Sequence, residues 1–359
     1  MRVAVVAEFY PRAEDPVLGV WAHRQALAAR DAGADVRVFV LHRLVPPRSD
    51  FTPRSLVRKL RQPREAQLDG LPVEYVPFVS PPRERSYGSW GRWAARPLAR
   101  ALRRHQFDLV HAHNAVPAGD AVLRAGFGGP LVVSVHGGDV FFTVRRWREP
   151  VERTFAAARI VLANSAGVGA MVRGARDVRV VHLGTDVPAE VVAGTGVVTV
   201  AHLDPRKRHA DVIRALPDGV TYDVVGDGPE RARLEALADE RVTFHGQLDH
   251  ARAMEVARRC GVFAMPSTDE AFGVAYVEAM AAGLPAIGCA GEPGPEEIAS
   301  AGEGMRLVPA GDVDALRAAI VECLAAPNLG AKARQTVLRE FTWERCGAAT
   351  VAAYEDALP

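Results

Sequence analysis

Residues 269–288 read DEAFGVAYVEAMAAGLPAIG. Before them, GVFAMPS (261–267) is a short apolar run with the make-up of a buried strand. From about Phe272 the pattern is helical, and LPAIGCA (284–290) starts another strand. Strand, helix, strand in this order builds a parallel sheet covered by helices. The stretch also holds two carboxylates, Glu270 and Glu278, separated by seven residues. The first follows a strand, where a carboxylate can accept hydrogen bonds from sugar hydroxyls. The second lies two helical turns later, where it can hold a ribose diol. Between them the amides of Phe272, Gly273 and Val274 fall at a helix N-terminus, where the dipole favours phosphate. Gly273 lets the backbone come close to a ligand. Spacing alone fits a capped amphipathic helix with solvent-facing carboxylates equally well.

Working outward, the same alternation runs through most of the 359 residues. RVAVVAEF is a first buried strand, GVWAHRQALAARDAG a helix ending at Gly33, and DVRVFVL a second strand. FDLVHAH, PLVVSVH and ARIVLANS follow as further strands. Near Gly184 the pattern restarts with GVVTVAHL, TYDVVGDG, VTFHG, GVFAMPS and LPAIGCA. The length fits two domains of ordinary size. The expected division is an N-terminal Rossmann-like domain at 1–185, a second at 186–340, and a C-terminal helix, 341–359, that returns to the first. Residues 182–196, HLGTDVPAEVVAGTG, read as the linker.

Composition narrows the function. With 48% apolar residues and no run of membrane-spanning length, the chain reads as globular. MRVAVVAEFYP reads as a strand rather than a secretory signal, which predicts a cytoplasmic protein. Cys260, Cys289, Cys323 and Cys346 are widely spaced and suggest neither zinc nor disulfides. Net charge is +1, yet residues 1–110 carry 19 Lys+Arg against 11 Asp+Glu. A basic first part suits an anionic acceptor or an anionic surface. Lysine occurs only at 59, 207 and 332, an arginine bias that points to a GC-rich, bacterial genome. Residues 42–106 are Arg- and Pro-rich and weakly periodic. Within them FTPRSLVRKLRQ could set Phe51, Leu56, Val57 and Leu60 against Arg54, Arg58, Lys59 and Arg61. Pro53 and Pro63 are expected to break that pattern, which favours a solvated basic loop over a membrane-surface helix.

The motifs together resemble the family-4 glycosyltransferases, with the E-x7-E signature at Glu270 and Glu278. The GVWAHRQALA helix, DLVHAHN, VVSVHGGD, VAHLDPRKRH, VVGDGPE and VTFHGQL precede it in the family's order, so that the resemblance covers about residues 1–325. It implies a GT-B fold, two Rossmann-like domains with parallel sheets facing across a cleft. It also implies retaining transfer of a sugar from a nucleotide diphosphate-sugar, most commonly of UDP. The donor is then a substrate, and no cofactor or metal is expected.

Carried over residue by residue, the resemblance gives Glu278 the ribose and Glu270 the transferred sugar. Phe272, Gly273 and Val274 offer amides to sugar and diphosphate. Lys207 matches the lysine of the diphosphate. His202 stands where arginine is usual and Arg208 where glycine is usual, so Arg206 is the expected second cation. Gln247 and Leu248 fall where backbone groups read the base. Gly19 is the single glycine where the family often has two. His136, in VVSVHGGD, matches the histidine that faces the reacting sugar, with Asp139 beside it. His113 and Asn114 end a neighbouring strand and are expected on the acceptor side, whereas His111 is expected to be structural. The catalytic set is His136, Glu270 and Lys207. The expected acceptor is soluble: a small natural product or a saccharide. A lipid-linked acceptor, or a nucleotide-sugar 2-epimerase on the same fold, is the alternative. No nucleic-acid partner is expected.

Overall fold

The computed structural model describes residues 1–191 and 194–359, without the side chain of Ser49. The chain divides into two units, Met1–His182 with Trp343–Pro359, and Leu183–Thr342. The divisions fall at 182/183 and 342/343 rather than at 185/186 and 340/341. The reason is local. Thr185 N donates to Phe341 O at 3.0 Å, and Thr185 bridges Thr342, so the outgoing and returning segments pair within the second unit. Of the expected linker 182–196, residues 192–193 lie outside the described residues.

The first unit holds β1 (Arg2–Ala7), β2 (Asp35–Arg43), β3 (Glu65–Leu68), β4 (Leu71–Phe78), β5 (Leu109–His113), β6 (Leu131–Val135), β7 (Ile160–Ala163) and β8 (Val178–Val180). The sheet order is β3-β4-β2-β1-β5-β6-β7-β8. All pairings are parallel except the β3–β4 hairpin at the edge. The central strands are mostly apolar, as strands covered on both faces tend to be: Val3 to Ala7 and Leu109 to Val110 are fully buried. The helix Val20–Asp31 starts at Gly19 in the left-handed region, φ 65°. A Cβ on Gly19 would lie 2.2 Å from the Phe9 carbonyl carbon, so the glycine is required by its own chain. The helix Trp343–Ala357 packs on Val20–Asp31. Gly347 permits this close approach, since a Cβ there would sit 2.2 Å from Ala28 O. Gln25 Nε2 donates to Thr350 Oγ1 at 3.1 Å, and Tyr354 OH meets His111 Nδ1 at 2.6 Å.

Residues 53–60 correct one expectation. Pro53 does not break the helical pattern; it stands in the first turn of a helix, Pro53–Leu60. That position needs no N–H, and the fixed φ of proline suits it. Thr52 and Ser55 form a reciprocal capping box, with Ser55 N donating to Thr52 Oγ1 at 3.1 Å and Thr52 N to Ser55 Oγ at 3.0 Å.

The second unit holds β9 (Val197–Val200), β10 (Tyr222–Val225), β11 (Val242–Gly246), β12 (Val262–Ala264), β13 (Ala286–Cys289) and β14 (Met305–Val308). They form a wholly parallel sheet in the order β11-β10-β9-β12-β13-β14. Each unit is therefore a parallel-sheet, Rossmann-like α/β fold. In each, the order reverses at one place, between β1 and β5 and between β9 and β12. Open α/β sheets bind ligands beyond the carboxyl ends of their strands at such reversals.

Candidate active site

Beyond β9 the chain runs through His202 to a 3-10 turn, Pro205–Lys207, capped by Asp204 through Arg206 N at 3.1 Å. Beyond β12 it runs through Ser267 to Glu270. The reversal of strand order thus brings Lys207 and Glu270 together: Lys207 Nζ lies 2.5 Å from Glu270 Oε2. Ser267 Oγ donates to the same oxygen at 2.9 Å, and Arg206 Nη1 is 3.8 Å away. Glu270 N donates to Glu292 Oε2 at 2.9 Å, which fixes the backbone. Lys207 and Glu270 are both buried. Burial opposes the charge on Glu270. The charge and hydrogen bond of Lys207, then Arg206 and Ser267, outweigh it and hold the carboxyl below its ordinary pKa. Two neighbours keep left-handed backbone, Asp269 at φ 52° and Arg208 at φ 56°. Such residues cost of order 1 kcal/mol each and collect at ligand sites.

The helix Val274–Ala281 begins at Gly273, φ 83°, with no side-chain cap. It starts two residues later than the sequence pattern indicates, because Phe272 turns into the core against Phe341. A Cβ on Gly273 would meet the Tyr276 ring at 2.3 Å, so this glycine too answers to its own chain. Glu278, about one turn into this helix, is only partly buried and pairs with His250 Nε2 at 2.9 Å. His202 and Gln247 are exposed and Leu248 half-buried.

In the first unit, β5 and β6 bring His113 and His136 side by side, Nδ1 to Nε2 at 2.9 Å with rings 8° from coplanar. Burial lowers His136 to about 4. Burial, then the neighbouring imidazoles, lowers His113 well below its ordinary value. Both rings are therefore neutral, and one N–H fills the bond between them. The outer atoms, His113 Nε2 and His136 Nδ1, have no partner among the described residues. Whichever tautomer holds, one of the two is a donor and the other an acceptor. His111 is closed off between Tyr354 OH and Ser134 Oγ (2.7 Å), a structural role.

Asn114 follows β5 and Asp139 lies just past β6, and both are buried. Asp139 is buried and accepts from Ala115 N at 2.8 Å and Val116 N at 3.4 Å. Burial lifts it to about 7, against the pull of those amides. Its carboxyl thus staples the turn after β5 to the VHGGD turn rather than facing outward. Asn114 holds φ 73°, with Oδ1 unpartnered among the described residues.

Glu8 was not singled out in the sequence, although it follows β1 at the reversal. Its carboxylate accepts from Tyr87 OH at 2.7 Å and from Arg83 at 3.2 Å. Arg83 stacks over the Tyr87 ring at 4.3 Å. Position is the usable signal: Glu8, like His136, directly follows the end of a strand. Arg83 and Tyr87 gave none, since they lie in the weakly periodic stretch 42–106. His250, the partner of Glu278, is an isolated histidine in the sequence.

Comparison with known proteins covers nearly all of this geometry. Residues 18–188 match Glycosyltransferase Family 4, and residues 194–337 match Glycosyl transferases group 1. The MMP alpha-(1->4)-mannosyltransferase of Mycolicibacterium hassiacum is 29% identical over 307 residues, 74% of each chain. Other curated relatives match over about two fifths of their own length. Among solved structures, sucrose-phosphate synthase from Thermosynechococcus elongatus superposes with a TM-score of 0.75 at 21% identity, over 99% of this chain and 98% of that one. Anabaena HepE in complex with UDP-glucose gives 0.72 at 18% identity, over 99% and 100%.

Proposed function

The chain belongs to the family-4 glycosyltransferases of the GT-B fold, and from that premise we propose that it is a retaining enzyme using a nucleoside diphosphate-hexose, with UDP as the carrier. The observation that carries the donor reading is the buried Lys207–Glu270 pair at the strand reversal of the second unit. Lys207 and Arg206 hold the diphosphate, the Gly273 and Val274 amides share it, Glu270 takes sugar hydroxyls and Glu278 the ribose diol. A bound diphosphate gives Lys207 a second anion and leaves Glu270 free to receive a sugar hydroxyl. UDP is favoured because HepE, of the same fold, binds UDP-glucose.

The first unit takes the acceptor. The His113–His136 pair, with one outward donor and one outward acceptor, suits hydroxyl groups, which both give and take hydrogen bonds. Glu8 and Arg83 extend that polar surface, and Asp139 and Asn114 shape its floor. In the reaction the acceptor oxygen attacks the anomeric carbon on the face the diphosphate leaves. The C–O bond to phosphate breaks, and the acceptor proton passes to the leaving phosphate oxygen. Lys207 and Arg206 stabilise the charge that develops there. Thermal-shift and titration measurements with UDP-, GDP-, ADP- and dTDP-sugars test the donor. Stabilisation by UDP-sugars alone supports the proposal, and stabilisation by GDP-mannose alone overturns the choice of base. An inverted anomer in the product, read by NMR, overturns retention.

A further inference from the structure

A helix packed on a globular body normally buries its apolar stripe and exposes its polar one. The helix Pro53–Leu60 does the reverse. Ser55 is 2% exposed, hydrogen-bonded to Thr52 O and Asp50 O, and Lys59 reaches inward to Glu14. Leu56, Val57 and Leu60 are 38%, 46% and 60% exposed, and Phe51, just before the helix, 64%. On a helix of 3.6 residues per turn, Leu56, Leu60, Pro53 and Val57 fill one arc of about 100°. Arg61, Arg54 and Arg58 fill the next, and Ser55 and Lys59 face the protein.

We propose that this helix docks on an anionic lipid bilayer, with its apolar arc at the headgroup boundary and its arginines on lipid phosphates. The charge argues for lipid over a protein partner. Residues 43–64 hold seven Lys+Arg and one acidic residue, Asp50. Asp50 and Glu14 pair with Arg58, and Glu14 also pairs with Lys59. Arg54 and Arg61 on the helix, and Arg48 and Arg64 beside it, are exposed, and none of the four has an ion-pair partner among the described residues. An apolar strip of four side chains edged by unpaired arginines fits an interfacial helix lying flat in an anionic surface. The proposal is independent of the donor and acceptor readings.

Sedimentation of the full chain with phosphatidylcholine vesicles, with and without phosphatidylglycerol, tests it. Binding is expected only with phosphatidylglycerol and should weaken as salt rises. Arg54→Glu with Arg61→Glu should cut partitioning at least about tenfold, since each basic residue near such a surface contributes about 1 kcal/mol. Leu56→Ser with Leu60→Ser should cut it at every salt concentration. All four side chains are exposed, so both variants should melt with the parent. Absence of binding to phosphatidylglycerol vesicles, or binding by both variants as strong as the parent's, overturns the proposal. So does a concentration-dependent dimer that Leu56→Ser with Leu60→Ser dissolves, which would assign the face to a second copy.

Discussion

At the strand reversal of Leu183–Thr342, a buried carboxylate is held ionised against a lysine. At the reversal of the first unit, buried histidines and Asp139 are pushed toward their neutral forms. The topology is alike, and the electrostatics are opposite. A doubly charged diphosphate demands fixed cations, and a cation can be kept buried only beside an anion. An uncharged hydroxyl demands the reverse, donors and acceptors that bind without the desolvation cost of a charge. On the proposed reading, the same backbone solution serves two ligand classes by changing which groups lie just past the strand ends.

The sharpest way to break this contrast is Lys207→Ala. Losing a preorganised cation should lower turnover by about 10²–10³-fold. It also strands Glu270, and breaking a buried pair costs about 3–5 kcal/mol. Lys207→Met combined with Glu270→Gln should regain the stability, read by urea denaturation, while turnover stays low. Full activity in Lys207→Ala would remove the charged crevice from the reaction.

Glu278→Ala should weaken nucleoside diphosphate binding by about 1.5–3 kcal/mol, through loss of charge-assisted hydrogen bonds to ribose. Isothermal titration checks it, and His250→Ala should have the smaller effect. Equal affinities in parent and Glu278→Ala would place the ribose elsewhere.

The neutral crevice predicts a pH effect. His136 is lowered to about 4, His111 to about 3 and His113 well below 6.5, so unfolding lets three histidines take up protons below pH 6.5. Their contribution to stability is full above that pH and declines as pH falls toward their folded values. Asp139, raised to about 7, works the other way, since it is protonated when folded and ionised when unfolded between about pH 4 and 7. Three groups against one leave a net loss of stability on acidification. Asp139→Asn should make the decline steeper, read from urea midpoints between pH 4.5 and 7. A flat profile in both proteins would mean the histidines are not held neutral. The smallest expected effect is none at all: activity should survive EDTA, and complete loss restored by Mg²⁺ would require a metal in the charged crevice.

The parallel sheets were legible because strands covered on both faces read as apolar runs, as in Val3–Ala7 and Ile160–Ala163. That Lys207, Glu270 and His136 lie past strand ends was legible because each follows a strand-like run within a recognisable motif. Other features were set by tertiary contact. Nothing local shows that Asp139 would turn inward to two amides, or that Gly19 and Gly273 are demanded by Phe9 and Tyr276. Pro53 misled for a different reason. In mid-helix it breaks the ladder, while in the first turn it starts one, and only the Thr52–Ser55 cap distinguishes the two cases.

The helix Trp343–Ala357 makes the first unit discontinuous, and this bears on the order of synthesis. When His182 leaves the ribosome, the face of Val20–Asp31 that meets Gly347 and Thr350 is uncovered, and His111 lacks the Tyr354 hydroxyl. About 160 residues must be translated first, roughly 8–32 s at 5–20 residues per second. The second unit can complete its own sheet in that interval, because every strand of it lies within Leu183–Thr342. The part made first is therefore finished last, and a chain released after Thr342 would be a complete second unit joined to an unfinished first one.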